Sequence, residues 1–273
     1  MSFPYGRVIV ITGASSGIGL SCAERFARGG YTVWALSRRA GGPVRAVGPG
    51  QIRPLACDVC GDESVQAAAA HIAAAGDEVG IVLHCAGFGI AGAAEDTPIE
   101  DAHAQMETNY FGVLRVGRAF LPAMRARGGG LVLVMGSMAG LIPIPYQSHY
   151  SSTKFALEAY TEALRMEGRP FGLRACIIEP GDTRTGFTDA RKPALPEGSP
   201  YAGACRRAVG RMAVDEDKGH PPEKVARVAW RIAQKKSPPV RRAVGLDYKA
   251  LALVKRLLPA RTVEWILRMK YLG

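Results

Sequence analysis

Residues 8–19 read Val8-Ile-Val-Ile-Thr-Gly-Ala-Ser-Ser-Gly-Ile-Gly19, and this stretch decides the fold. Four β-branched apolar residues in a row, ended by Thr12 and Gly13, predict a strand buried on both faces. Leu20, Ala23 and Ala27 then recur at helical spacing over 18–28, and Gly29-Gly30 stops the helix. A strand, a glycine-rich turn and a helix in that order form a cradle for a pyrophosphate. Gly13, Gly17 and Gly19 lack the side chains that would hold a phosphate off the backbone. Ser15, Ser16 and Ile18 complete the turn and the helix start. The helix N-terminus adds unpaired N–H groups and the positive end of its dipole.

Outward from this turn, strand and helix patterns alternate. Strands are expected at 31–36, 52–56, 81–83, 131–135 and 173–178. Helices are expected over 63–75, 101–127 and 150–167, the second of them bent near Pro122. This alternation predicts an α/β fold: a single doubly wound parallel sheet, a Rossmann fold, with helices on both faces. After Glu179 the pattern changes. Residues 182–220 are rich in Gly, Pro and polar residues and read as a long loop of the kind that covers a substrate. A helix at 222–234 and a last strand at 240–245 follow. Residues 251–272 read as one or two amphipathic helices joined near Pro259. The expected organisation is one dinucleotide-binding catalytic domain over 1–245, with 246–273 as a basic amphipathic extension of it.

The second strand ends Ser37-Arg38-Arg39, and no acidic residue lies between Glu24 and Asp58. A site for NAD(H) places Asp or Glu at this strand end, to bond the ribose 2′-OH. Guanidinium groups there suit a 2′-phosphate instead. The expected cofactor is therefore NADP(H).

Tyr150-Ser-Ser-Thr-Lys154 opens the helix over 150–167, and the i, i+4 spacing puts Tyr150 and Lys154 on one face. A phenol ordinarily titrates near pH 10, too high for a base at neutral pH, and a neighbouring ammonium is expected to lower that value. Ser137 follows the fifth strand, at the end where open α/β sheets place their ligands. Its hydroxyl is placed to bond a substrate oxygen.

With these motifs in order over roughly residues 7–190, the chain resembles the short-chain dehydrogenase/reductase family. In that family Tyr150 would act as general acid in carbonyl reduction and as base in alcohol oxidation. Lys154 would lower its pKa and bond the nicotinamide ribose, and Ser137 would orient the carbonyl. Asn109, in Glu-Thr-Asn-Tyr-Phe-Gly, would hold a water of the proton relay. The resemblance assigns Asp58 and Val59 to the adenine, and Pro180, Gly181, Thr183 and Thr185 to the carboxamide. Cys85, Ala86 and Gly87 would border the cofactor. One departure is visible: the family's Asn-Ala-Gly after the fourth strand is replaced by His84-Cys85-Ala86-Gly87.

Residues near this end of the sheet are mostly apolar. Met138, Ile144, Tyr146 and Phe187 are the expected pocket residues, which suits a lipophilic carbonyl or alcohol. His149 is read as a helix-start residue, and His220 as a loop-end residue that could reach a polar substrate group. The tail from Tyr248 to Tyr271 is similar to those of the hydroxysteroid and retinol dehydrogenase-like branch. A 3-oxoacyl thioester reductase is the alternative activity, and an NADPH-binding regulator without turnover is the alternative of another class.

The chain has 273 residues, 48% of them hydrophobic and 22% charged, which excludes a disordered or collagenous protein. It has no run of 18 apolar residues and no secretory pattern at Met1–Arg7, so a cytoplasmic location is expected. The net charge of +11 is uneven. Residues 1–205 hold 18 basic and 18 acidic side chains, whereas 206–273 hold 17 and 6. The basic, apolar-interleaved end could meet a membrane surface, cover the pocket or form a subunit contact. No nucleic-acid motif accompanies it. Homo-oligomers are expected from the resemblance. Six cysteines are expected to stay reduced, and the pair Cys57 and Cys60 lacks a second pair at zinc spacing, so no metal is expected.

Overall fold

A computed structural model describes residues 3–39 and 42–273. The stretch 8–19 forms strand β1 (Val8–Thr12), a turn, and helix α1 (Gly17–Arg28). Strands β2 (Thr32–Ser37), β3 (Arg45–Val47) and β4 (Gly50–Ala56) follow, then helix α2 (Asp62–Ala74) and strand β5 (Val79–His84). A short strand β6 (Ile90–Gly92) leads to helices α3 (Ile99–Met106) and α4 (Gly112–Ala126), which a π-helical turn at Glu107–Phe111 joins. Strand β7 (Gly130–Met135), helix α5 (Ser148–Gly168) and strand β8 (Leu173–Glu179) complete the alternation. The C-terminal part holds β9 (Lys192–Ala194), α6 (Ala202–Asp217), α7 (Pro222–Ala233), β10 (Arg241–Ala243), α8 (Leu246–Leu257) and α9 (Ala260–Tyr271).

The main sheet has the order β10-β8-β7-β5-β1-β2-β4-β3. Every pairing in it is parallel except β3 with β4, a hairpin arm at the edge that the sequence reading did not contain. It turns at Gly48, whose φ of +62° is costly for any side-chain-bearing residue. β1 stands in the middle, with β2 on one side and β5 on the other. The strand order reverses there, so the C-terminal ends of β1 and β5 flank the crevice where such sheets bind ligands.

Burial explains the strand composition. Ile9, Ile11, Leu83 and Leu133 point to the face covered by α1 and α7, while Val10, Val82, Val132 and Ile177 point to the face covered by α2, α4 and α5. Alternate residues along one strand thus enter two different cores, and the strand reads as continuously apolar.

Three expectations differ from the structure. The long helix is irregular at Glu107–Phe111, and α4 runs through Pro122 unbroken. Pro122 and Arg118 are both exposed, so the carbonyl that the proline leaves unbonded meets water. The span 182–220 is not one loop. It contains the sixteen-residue α6, whose buried Cys205, Ala208 and Met212 recur at helical spacing, and β9, which pairs with β6. The last helices begin at Leu246 rather than 251, where Gly245 leaves β10 with φ +102°.

Candidate active site

The glycine turn is built by backbone packing. A Cβ on Gly13 would lie 2.7 Å from the Ala86 backbone nitrogen, and one on Gly19 would lie 2.2 Å from the Gly13 carbonyl oxygen. Only glycine lets the turn after β1 meet the Cys85–Ala86 backbone after β5. Thr12 fixes that junction, because its hydroxyl oxygen accepts from the Cys85 and Ala86 N–H groups, both at 3.2 Å. Ser15 and Ser16 are exposed at the start of α1, Ile18 packs on the core, and the first turn of α1 carries no acidic residue. The Ser16 side chain makes no capping bond. Gly87 lies against Asn109, and Thr185 lies over Gly17, 3.5 Å from where its Cβ would be. A side-chain-free backbone cradle at a helix N-terminus fits a dinucleotide pyrophosphate.

The flanking residues continue the cradle. Ser37 ends β2, and Arg38 and Arg39 project exposed beyond it. The Asp58 carboxylate accepts from the Cys60 N–H at 3.0 Å, and Val59 packs against Gly112. On the other side Pro180 accepts from the Met138 N–H, and the Thr183 hydroxyl donates to the Gly181 carbonyl at 2.9 Å. The Thr185 hydroxyl accepts from the Phe187 N–H at 3.2 Å. The Tyr248 ring fills the space in which Gly181 would carry a Cβ.

Ser137, Tyr150 and Lys154 converge at the ends of β7 and α5. Ser137 caps a 3₁₀ turn, and its hydroxyl accepts from the Ala139 N–H at 3.1 Å. Lys154 is buried, donates from Nζ to the Met135 carbonyl at 2.8 Å, and lies 5.6 Å from the Tyr150 ring centre. Burial pushes its ammonium down to about 8. Burial also pushes the Tyr150 phenol up to about 12, while Ser137 beside it pulls the other way. Desolvation is the largest influence on the phenol, and Lys154 is not among the groups that offset it here. The Phe187 ring closes the cleft, 5.5 Å from the Tyr150 ring.

Residues 7–195 match the family described as short chain dehydrogenase. The chain belongs to this family. It is 36% identical over 268 residues to a 3-ketodihydrosphingosine reductase of Bacteroides thetaiotaomicron, covering 97% of this chain and 98% of that protein. It is 31% identical to retinol dehydrogenase 8 of Bos taurus, covering 93% and 86%. A short-chain dehydrogenase from Streptomyces avermitilis has the same fold, with a TM-score of 0.80 at 31% identity over 95% of this chain and 96% of that one. The protein is thus an oxidoreductase of a family that uses a nicotinamide cofactor.

Several further residues around this centre are held by contacts within the protein. Asn109, in the π-turn, spends its side chain on the protein. Its amide donates to the Phe88 carbonyl at 3.0 Å and the Thr153 hydroxyl at 3.2 Å, and its oxygen accepts from the Phe88 N–H at 3.0 Å. It pins the β5 exit to α5. His84, at the end of β5, is buried and held neutral, its imidazole pushed down to about 3 by that burial. His220 bonds Asp247 and Lys224 and packs on Tyr248, tying the substrate loop to α8. Met138 is buried under α9 together with Ile142, whereas Ile144 and Tyr146 line a separate groove of about 810 Å³ against α8 and α9. Cys57 and Cys60 are free thiols, and no metal-ligating cluster exists among the described residues.

Two charged residues near Tyr150 escaped the sequence reading. Arg191 and Glu216 form an ion pair whose charges act on the phenol. Their signal was faint: only the spacing of Cys205, Ala208 and Met212 could have put Glu216 on a helix that reaches the cleft.

Proposed function

We propose that this protein is an NADP(H)-dependent reductase of a lipophilic ketone, acting through Ser137, Tyr150 and Lys154. The observation that carries the reading is the convergence of a protonated, cleft-facing Tyr150 with Ser137 and Lys154 beside the glycine cradle. A bound nicotinamide would supply the hydride in reduction and accept it in alcohol oxidation. Tyr150 holds its proton at neutral pH, the form that can deliver it to a carbonyl oxygen as negative charge develops there. Ser137 orients that oxygen, and Lys154 stabilises the phenolate left behind. Asn109 positions α5 and the β5 exit around them.

Arg38 and Arg39 at the end of β2, with no carboxylate in reach along 25–57, support NADP(H) over NAD(H). The apolar cleft wall and the name of the Bacteroides relative favour a long-chain keto lipid. The long helix α5 carries exposed Phe155 and Met166, which favours pairing of two copies through it.

The location proposed is cytoplasmic with peripheral membrane contact. No helix among the described residues is long and apolar enough to cross a membrane. Leu246, Ala250, Leu253, Val254 and Leu257 form one exposed face of α8, and Trp265, Ile266 and Met269 are exposed on α9. Residues 246–273 carry six basic and two acidic side chains. An apolar face set among cations matches an anionic bilayer, where a lipid substrate resides.

The test is NADPH oxidation against long-chain 3-ketones, keto-steroids, retinal and acetoacetyl thioesters. Turnover of the long-chain ketones supports the reading. Preference for the thioester moves the assignment to an acyl reductase, and NADPH binding without any turnover moves it to a regulator.

A further inference from the structure

Beside Tyr150 lies a charge pair, one partner buried and the other partly so, for which proton delivery has no need. Arg191 closes the substrate loop just before β9, and Glu216 lies in the last turn of α6. One Arg191 Nη donates to the Glu216 carboxylate, whose other oxygen accepts from the Thr188 hydroxyl. The Arg191 side chain is only 3% exposed, yet its Nε and its second Nη have no hydrogen-bond partner among the described residues. Burying a guanidinium with idle donors is costly, and a purely structural pair would turn those donors to a carbonyl.

The pair is fixed against the cleft. β9 pairs with β6, and the Lys192 N–H donates to the Gly89 carbonyl at 3.0 Å, which anchors the Arg191 backbone. The Arg191 Cγ would lie 3.7 Å from a Cβ on Gly89, and the Phe187 ring would touch the same Cβ. The Arg191 Cζ stands 5.8 Å from the Phe187 ring centre, and that ring stands 5.5 Å from Tyr150. Arg191, Phe187 and Tyr150 thus follow one another in space, and the charges of Arg191 and Glu216 reach the phenol.

The chemistry of the pair selects its ligand. A fixed guanidinium with free N–H groups wants an acceptor oxygen. The carboxylate beside it repels an anion and attracts a cation. A plain alkyl ketone would leave the spare Arg191 donors unmet, and a carboxylate ligand would face Glu216. An amino alcohol next to the ketone meets both. We propose that Arg191 and Glu216 form a headgroup subsite for a 2-amino-1-hydroxy-3-ketone, with the hydroxyl oxygen on Arg191 and the ammonium on Glu216. This assignment rests on the ketone-reductase reading and names its substrate class.

The experiment compares kcat/KM for a long-chain 2-amino-1-hydroxy-3-ketone with that for the unsubstituted 3-ketone of equal length. The wild-type enzyme is expected to prefer the amino alcohol by about 100-fold. Arg191→Leu and Glu216→Gln should each shrink that preference by about tenfold or more, with Arg191→Lys between them and the wild type. The N-acetyl derivative of the amino alcohol, tested on the wild type alone, removes the ammonium without touching the protein. It should lose most of the preference. A wild-type ratio near one, or variants that lower both activities and keep the ratio, would overturn the subsite. Turnover of the unsubstituted ketone with no gain from the headgroup overturns the subsite and leaves the reductase reading standing. Turnover of neither ketone overturns both.

Discussion

At the scale of single residues, the site combines groups whose protonation is set by burial more than by neighbours. Tyr150 keeps its proton and Lys154 titrates near 8, both because desolvation penalises the charged form. His84 follows the same rule and yields a stability prediction. The unfolded chain takes up a proton at His84 below about pH 6.5, whereas the folded chain refuses it until about 3. Stability from this group is complete above pH 6.5 and is lost as pH falls toward 3. Between pH 7 and pH 5 the loss is about 2 kcal/mol. Urea unfolding of wild type and His84→Asn at the two pH values should show that the variant loses less by roughly this amount. An equal loss would put His84 outside the account. Arg38 gives the second residue-scale prediction. Arg38→Asp should cut kcat/KM with NADPH by about 100-fold relative to that with NADH, as charge-assisted bonds to a 2′-phosphate disappear. An unchanged ratio of the two cofactors would remove Arg38 from the site.

At the scale of elements, legibility depended on how much of the signal was local. The turn 13–19 and the helix at Tyr150 were readable because glycine and i, i+4 spacing act within a few residues. Helix α6 was not, because Gly203, Gly210 and the surrounding polar residues masked a face only three residues wide. The π-turn was unreadable for a different reason. It is set by the inward pull of Asn109 on Phe88 and Thr153, groups 21 and 44 positions away. The pair Arg191 and Glu216 needed both α6 and β9 in place before it could be seen. The exposed apolar faces of α8 and α9 predict binding to anionic membranes. The protein should sediment with vesicles containing anionic phosphatidylglycerol and not with pure phosphatidylcholine. Binding should weaken in about 1 M salt, where screening acts within about 3 Å. Leu253→Asp with Leu257→Asp should abolish it while leaving the melting temperature in place, since both side chains are exposed. Wild-type protein that stays in the supernatant in every case would contradict a membrane-facing role.

At the scale of the molecule, the parallel sheet was readable from its alternation, and the position of the site followed from the reversal of strand order at β1. What the whole fold adds is closure. Tyr248 from α8 fills the space over Gly181 and its hydroxyl donates to Asp182 at 2.6 Å, while His220 bonds Asp247. Val263 and Leu267 of α9 pack with the cluster around Met138 and Ile142. The C-terminal helices therefore stabilise the wall of the cleft as well as facing outward. The central claim is that Tyr150 delivers the proton of a ketone reduction, and single-turnover reduction of a long-chain 3-ketone by NADPH-loaded Tyr150→Phe tests it most directly. The phenyl ring keeps the packing against Phe187 and removes only the hydroxyl. The rate should fall about 100- to 10,000-fold against wild type while NADPH affinity changes little. A variant that reduces the ketone at the wild-type rate would contradict the account.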